Sequence, residues 1–166
     1  SRSCSSPVCG RDAVRPGHRL PALQDALRRQ SYHVLHYIGH GTYTYKQQRG
    51  FLCFEKRSGE TELAGAEHLK PVLDSATTLR LMVIAACQSA QIGVLDAFDN
   101  VAAGLLQSGV PAVLTAPTSL TDDSAIELLN TFYGQLAEGW PLVDSLYAAR
   151  LALKEVDDGR SVERRR

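Results

Sequence analysis

Two residues in this 166-residue sequence combine reactive chemistry with a setting that suits it, Cys87 and His40. Cys87 ends the stretch LRLMVIAACQSA, in which Leu79, Leu81, Met82, Val83, Ile84, Ala85 and Ala86 run with almost no polar alternation. Such a run predicts a strand buried on both faces, as central parallel strands are. Cys87 stands at its carboxyl end, the side on which open parallel sheets bind ligands, and Ser89, Ala90 and Gly93 leave room there for another backbone. A lone Cys in apolar surroundings is more often a small buried hydrophobe, so a second signal must decide. SYHVLHYIGHGTY supplies it: an apolar-rich strand, Tyr32 to Ile38, followed by Gly39, His40 and Gly41. A His between two glycines is a poor core filler, and the glycines suit a tight turn with the backbone close to a ligand. An imidazole near a thiol is the minimum for nucleophilic thiol catalysis, because it helps generate the thiolate and later protonates the leaving amine. His36 lies inside the strand and reads as a hydrogen-bonded structural residue.

The elements that must position this pair follow from periodicity. Leu20, Leu23 and Leu27 share a helical face ahead of the His strand. After Gly41, residues 42–59 read as a hairpin excursion with a strand at Phe51 to Glu55, in which Cys53 is a packing thiol with no His beside it. Leu63 to Leu73 predicts a short helix interrupted by Pro71, and His68 within it is expected to lie on the surface without partners. Apolar residues from Leu95 to Leu106 recur at three and four, giving a helix over about 95–107 closed by Gly109. VPAVLTA, residues 110–116, is the next buried strand. Asp122 and Asp123 suit a helix amino terminus, with Ile126, Leu129, Phe132, Tyr133 and Leu136 as its apolar face and Gly139 as its stop. Pro141 opens a last helix that turns Leu142, Leu146, Ala149 and Leu153 inward. The order predicts an α/β fold with a mostly parallel sheet flanked by helices.

Length and 44% hydrophobic content support one core. Residues 1–19 are polar and without period, so they are expected to be a poorly packed tail; 20–156 form the domain and 157–166 a polar tail. Eighteen basic and eighteen acidic side chains cancel, leaving no charge field for nucleic acid or an anionic membrane. No apolar stretch approaches the roughly 20 residues of a membrane helix, and no secretory signal core opens the chain, which predicts a soluble, cytoplasmic protein. Cys4 and Cys9 with His18 lack the four ligands of a structural zinc site, so no metal is expected.

With HYIGHG, AACQSA, VPAVLTA and FYGQLAEGWPLVDSLYAARLAL in place, residues 20–154 resemble the CHAT domain family, caspase-like cysteine peptidases often joined to tetratricopeptide repeats. The 47 positions from His40 to Cys87 are close to the spacing of about 50 in caspases. The resemblance implies that His40 is the catalytic imidazole, Cys87 the nucleophile, and the backbone of Gly41 and Cys87 the oxyanion donors. It also implies a protein or peptide substrate, no cofactor, and tetratricopeptide-repeat regions of a longer chain as partners. The family's fold normally begins with a further strand, helix and strand, and continues after the last helix into another strand. Here polar sequence stands at both ends, so the domain is expected to be incomplete at both ends, with the His40 strand exposed at a sheet edge.

An inactive caspase-like domain that binds a partner protein through the same groove is the alternative to a peptidase. A nucleotide-binding domain is disfavoured, since no G-x-G-x-x-G or P-loop follows any strand. Asp122 and Asp123 follow the strand that ends near Thr115 and are candidates for pairing with a basic substrate residue, although a helix dipole accounts for them without a ligand.

Overall fold

The computed structural model describes residues 19–44, 46–47, 49–88, 99–115 and 122–163, with main chain alone for 86–88, 99, 122 and 155–163. The tail cysteines Cys4 and Cys9, and Ser89, Ala90 and Gly93 after the Cys87 strand, lie outside the described residues. The chain divides into two compact units, a sheet unit within Val14–Thr118 and a helix pair within Ser119–Arg166.

In the sheet unit, α1 (Leu20–Arg29) leads into β1 (Val34–Thr44), followed by β2 (Arg49–Glu55), β3 (Thr61–Ala64), α2 (Ala66–Leu73), β4 (Leu81–Gln88), α3 (Asp99–Gln107) and β5 (Val113–Thr115). The strands form one sheet in the order β3-β2-β1-β4-β5. β1, β4 and β5 run parallel, while β2 and β3 pair antiparallel, so the sheet is mixed rather than mostly parallel. The cause is the excursion after Gly41, which folds back as a two-strand meander. That meander changes the expected sheet edge only in part: β1 is paired with β2 over Gly41 to Thr44, while among the described residues Val34 to His40 pair with β4 alone.

β4 is the centre of the core, as its unbroken apolar run predicts. Leu81, Met82, Val83 and Ile84 are all buried, which places apolar side chains on both faces of the strand. Met82 and Ile84 join Leu23 and Leu27 of α1, Leu69 and Val72 of α2, and Val101 and Leu105 of α3 in a single cluster, so the three helices cover one face. α2 passes through Pro71 without breaking, and its amino end is capped by His68, whose Nδ1 accepts the Gly65 N–H at 3.3 Å. His68 also lies 3.4 Å from the Glu67 carboxylate, so it is a half-exposed capping residue with partners. α3 ends at Gln107 and is followed by Gly109, whose φ of 99° is the left-handed conformation that glycine adopts without strain. β5 has three half-buried residues at the sheet edge, shorter than the VPAVLTA run suggests.

The helix pair comprises α4 (Asp122–Ala137) and α5 (Leu142–Glu163), joined through Gly139 at φ 89°. Ser124, Leu128 and Phe132 recur every four residues as the buried stripe of α4. Ile126 is 57% exposed, contrary to the expected face, because two residues past Ser124 is about 200° around the helix. On α5, Ser145 and Ala149 are fully buried small residues, and the Ser145 hydroxyl donates to the Pro141 carbonyl at 2.9 Å. Among the described residues no helix is long and apolar enough to cross a membrane.

α2 and α3 approach closely at Gly104, where an added Cβ would collide with the Cβ of Ala66. Gly104→Val should therefore destabilise the sheet unit by about 1–3 kcal/mol, the usual cost of overpacking. Urea unfolding checks this, and an unchanged midpoint would show that the two helices can separate freely.

Candidate active site

The register of β1 on β4 runs without a break from Val34 opposite Leu81 to Gly41 opposite Gln88, and it sets His40 opposite Cys87. Parallel neighbours are about 4.8 Å apart, so the two Cα atoms stand within side-chain reach of one another. Cys87 is the next-to-last residue of β4, as expected, whereas His40 lies within β1, which runs on to Thr44 instead of ending at Ile38. The start of the register is pinned by the Arg80 N–H, which donates to the His33 carbonyl at 2.8 Å, and by the Thr78 hydroxyl, which donates to the Tyr32 carbonyl at 2.9 Å.

The sheet's alternation divides β1 between two faces. Leu35, Tyr37 and Tyr43 pack on the α1–α3 cluster, and His36, Ile38 and His40 alternate to the opposite face. His40 is exposed there and Ile38 is 67% exposed. His36 is half-buried, and burial pushes its pKa below the ordinary 6.5, so it is neutral near pH 7.

The turn expected at Gly39 and Gly41 is absent. β1 continues through both to Thr44, and neither has a positive φ. Gly41 is buried and has Cα partners on both sides, Leu52 and Gln88. Gly39 has a different reason to lack a side chain. The ring of Tyr37, two residues back on the same face, lies over it, and a Cβ there would sit 2.7 Å from the phenol oxygen and 2.8 Å from Cζ. Tyr37 reaches past Gly39 to place its hydroxyl 2.7 Å from the His40 carbonyl oxygen and 2.8 Å from that of Cys53. Its ring is also tilted against Phe54, with centroids 5.4 Å apart. Burial, with a smaller contribution from Cys53, pushes the Tyr37 phenol up to about 12, so the hydroxyl stays a donor throughout the neutral range. Neither Tyr37 nor this link drew notice in the sequence. The legible signal was an aromatic two residues before a glycine within a strand, the pattern in which an aromatic ring covers a glycine.

Cys53 needs a second correction. It lies one residue beyond the last β1–β2 pair, Gly41 with Leu52, and so comes next to His40 across the sheet, although no His is near it in sequence. Burial raises its thiol pKa, which lowers its thiolate fraction at neutral pH. Asp122 and Asp123 open α4, in the other unit, and Asp123 is exposed. On the α1–α3 side of the sheet, a polar cleft of about 350 Å³ is lined by Gln47, Arg49, Gly65, Glu67 and Asn100. Arg49 and Glu67 pair across it at 2.9 Å, each around 40% exposed, a contact worth at most about 1 kcal/mol.

The register thus sets a His and a Cys opposite each other on adjacent parallel strands of an α/β sheet. Comparison with known families agrees with the motifs: the CHAT domain matches residues 11–162, and the chain belongs to the CHAT domain family. Comparisons with curated proteins and with solved structures gave no match.

The depressed His36 pKa has a testable consequence. Below pH 6.5 the unfolded chain takes up a proton at this residue that the folded chain resists, so stability falls as pH drops from 6.5 toward the folded value. Urea unfolding between neutral and mildly acid pH should show this slope, and His36→Asn should flatten it. An identical slope in the variant would assign the loss to other groups.

Proposed function

We propose that this chain is a caspase-like thiol endopeptidase domain, with Cys87 as nucleophile and His40 as its acid and base. The observation that carries the reading is the register that pairs these two residues across adjacent parallel strands, in a chain of the CHAT domain family. In the reaction, His40 accepts the thiol proton as the Cys87 sulfur attacks the scissile carbonyl. The proton then goes to the leaving amine as the C–N bond breaks, and water hydrolyses the thioester to restore the thiol. Main-chain N–H groups of Gly41 and Cys87 are the oxyanion donors in this reading. Asp122 and Asp123 would favour a basic substrate residue, and tetratricopeptide-repeat regions of a longer chain would bring substrates to the domain in the cytoplasm. No metal or organic cofactor enters this chemistry.

Cys53 adjoins His40 from the other side, so the test must separate the two thiols. Cleavage of a peptide library, in the longest reading frame that contains this domain, should fall by about 10³-fold or more with Cys87→Ala and by about 10²- to 10⁴-fold with His40→Ala. Cys53→Ser should retain activity. Loss of cleavage with Cys53→Ser and retention with Cys87→Ala would assign the nucleophile to β2 instead. Absence of cleavage in the unsubstituted chain, with a partner protein retained by the Cys87→Ala and His40→Ala variants, would favour a binding module.

A further inference from the structure

The β1–β2 ladder ends at Gly41 and Leu52, and no further pair joins the two strands at the next residue of β1, the His proposed as the catalytic base. The fork is closed by a side chain rather than by a further ladder pair. The Tyr37 hydroxyl stands between the two strands, 2.7 Å from the His40 carbonyl oxygen on β1 and 2.8 Å from the Cys53 carbonyl oxygen on β2. We propose that Tyr37 is a positioning residue for His40, its phenol spanning the fork between β1 and β2 and fixing the main chain from which the imidazole projects, with Gly39 as the space that admits it. The proposal rests on the peptidase reading above.

Three features make the phenol a strut and not only a core ring. Its ring is held on one side by Phe54, centroids 5.4 Å apart, so the hydroxyl cannot leave without losing an aromatic contact. Its other side runs over Gly39 so closely that a Cβ would fall 2.7 Å from the phenol oxygen, which makes a bare glycine the condition for this path. Finally, the hydroxyl has one proton and two carbonyls in range, so it can donate to either without leaving the fork, and the link persists through small movements of either strand. A strand that splayed further at His40 would carry the imidazole away from Cys87, and displacements of about 1 Å are enough to cost as much as 100-fold in rate.

The experiment measures alkylation of Cys87 by iodoacetamide, resolved by peptide mapping, across pH in wild type, His40→Ala, Tyr37→Phe, Gly39→Ala and the Tyr37→Phe/Gly39→Ala double variant. Tyr37→Phe keeps the ring and removes the link. We expect the neutral-pH Cys87 rate to fall by up to about tenfold, the equivalent of one hydrogen bond, and the His40 ring resonances to move while those of His68 stay in place. Gly39→Ala should act through the same phenol, so it should add little in the Tyr37→Phe background. Should Tyr37→Phe not fold, Gly39→Ala, which displaces the phenol without removing it, carries the same comparison. A Cys87 rate that falls in His40→Ala but not in Tyr37→Phe or Gly39→Ala overturns the positioning role and leaves the dyad standing. Equal Cys87 rates in wild type and His40→Ala overturn the dyad, and the positioning role with it.

Discussion

The ladder between β1 and β4 sets almost everything else in the sheet unit. It begins where the Arg80 and Leu81 N–H groups both donate to the His33 carbonyl, and continues to Gly41 opposite Gln88. Strand side chains alternate with period two, so a slip of one residue would turn His40 toward the helix-covered face and bring Leu35 and Tyr37 to the other. The apolar demand on each face prevents it. Leu35 and Tyr37 pack on the cluster built by α1, α2 and α3, and β4 is buried on both sides. The same packing that stabilises the sheet therefore aligns the two residues to which chemistry is assigned.

The meander β2–β3 gives this ladder its second flank. By pairing with Gly41 to Thr44 it flanks the last four residues of β1, and it brings Phe54 to the Tyr37 ring and the Cys53 carbonyl to the Tyr37 hydroxyl. His40 consequently stands where three strands meet: β1 itself, β4 with Cys87, and β2, whose pairing with β1 stops one residue before Cys53. Such a fork is a natural place for an exposed functional side chain, because the ladder ends there and the backbone has room to answer a ligand.

Much of this was legible in the sequence where a local pattern had a single physical outcome. The run Leu81 to Ala86 admits little other than a two-face buried strand, and Gly109 and Gly139 mark helix ends because only glycine takes φ near +90° without strain. HYIGHG and AACQSA identified the strands and residues that the register then joined. What the sequence hid was long-range. Gly39 reads as a turn glycine until the Tyr37 ring is seen lying over it. Cys53 reads as isolated because its His neighbour is thirteen positions away and arrives only through sheet pairing. Ile126 was assigned to the wrong side of α4, since Ser124, a polar residue, belongs to the buried stripe. The antiparallel return of β3 was missed for a similar reason: TELA is too short to announce a strand without its partner on β2.

The central claim is the register that faces His40 with Cys87, and oxidative cross-linking measures it directly. In a chain with Cys4, Cys9 and Cys53 changed to Ser, single cysteines at 39, 40 or 41 are each paired with the native Cys87 and exposed to a mild oxidant. A disulfide requires Cα atoms about 4.4–6.8 Å apart and side chains on a common face. The account predicts that His40→Cys forms the bond with Cys87 efficiently, while Gly39→Cys and Gly41→Cys, on the opposite face of β1, do not. Preferred bonding from position 39 or 41, or none from position 40, would contradict it.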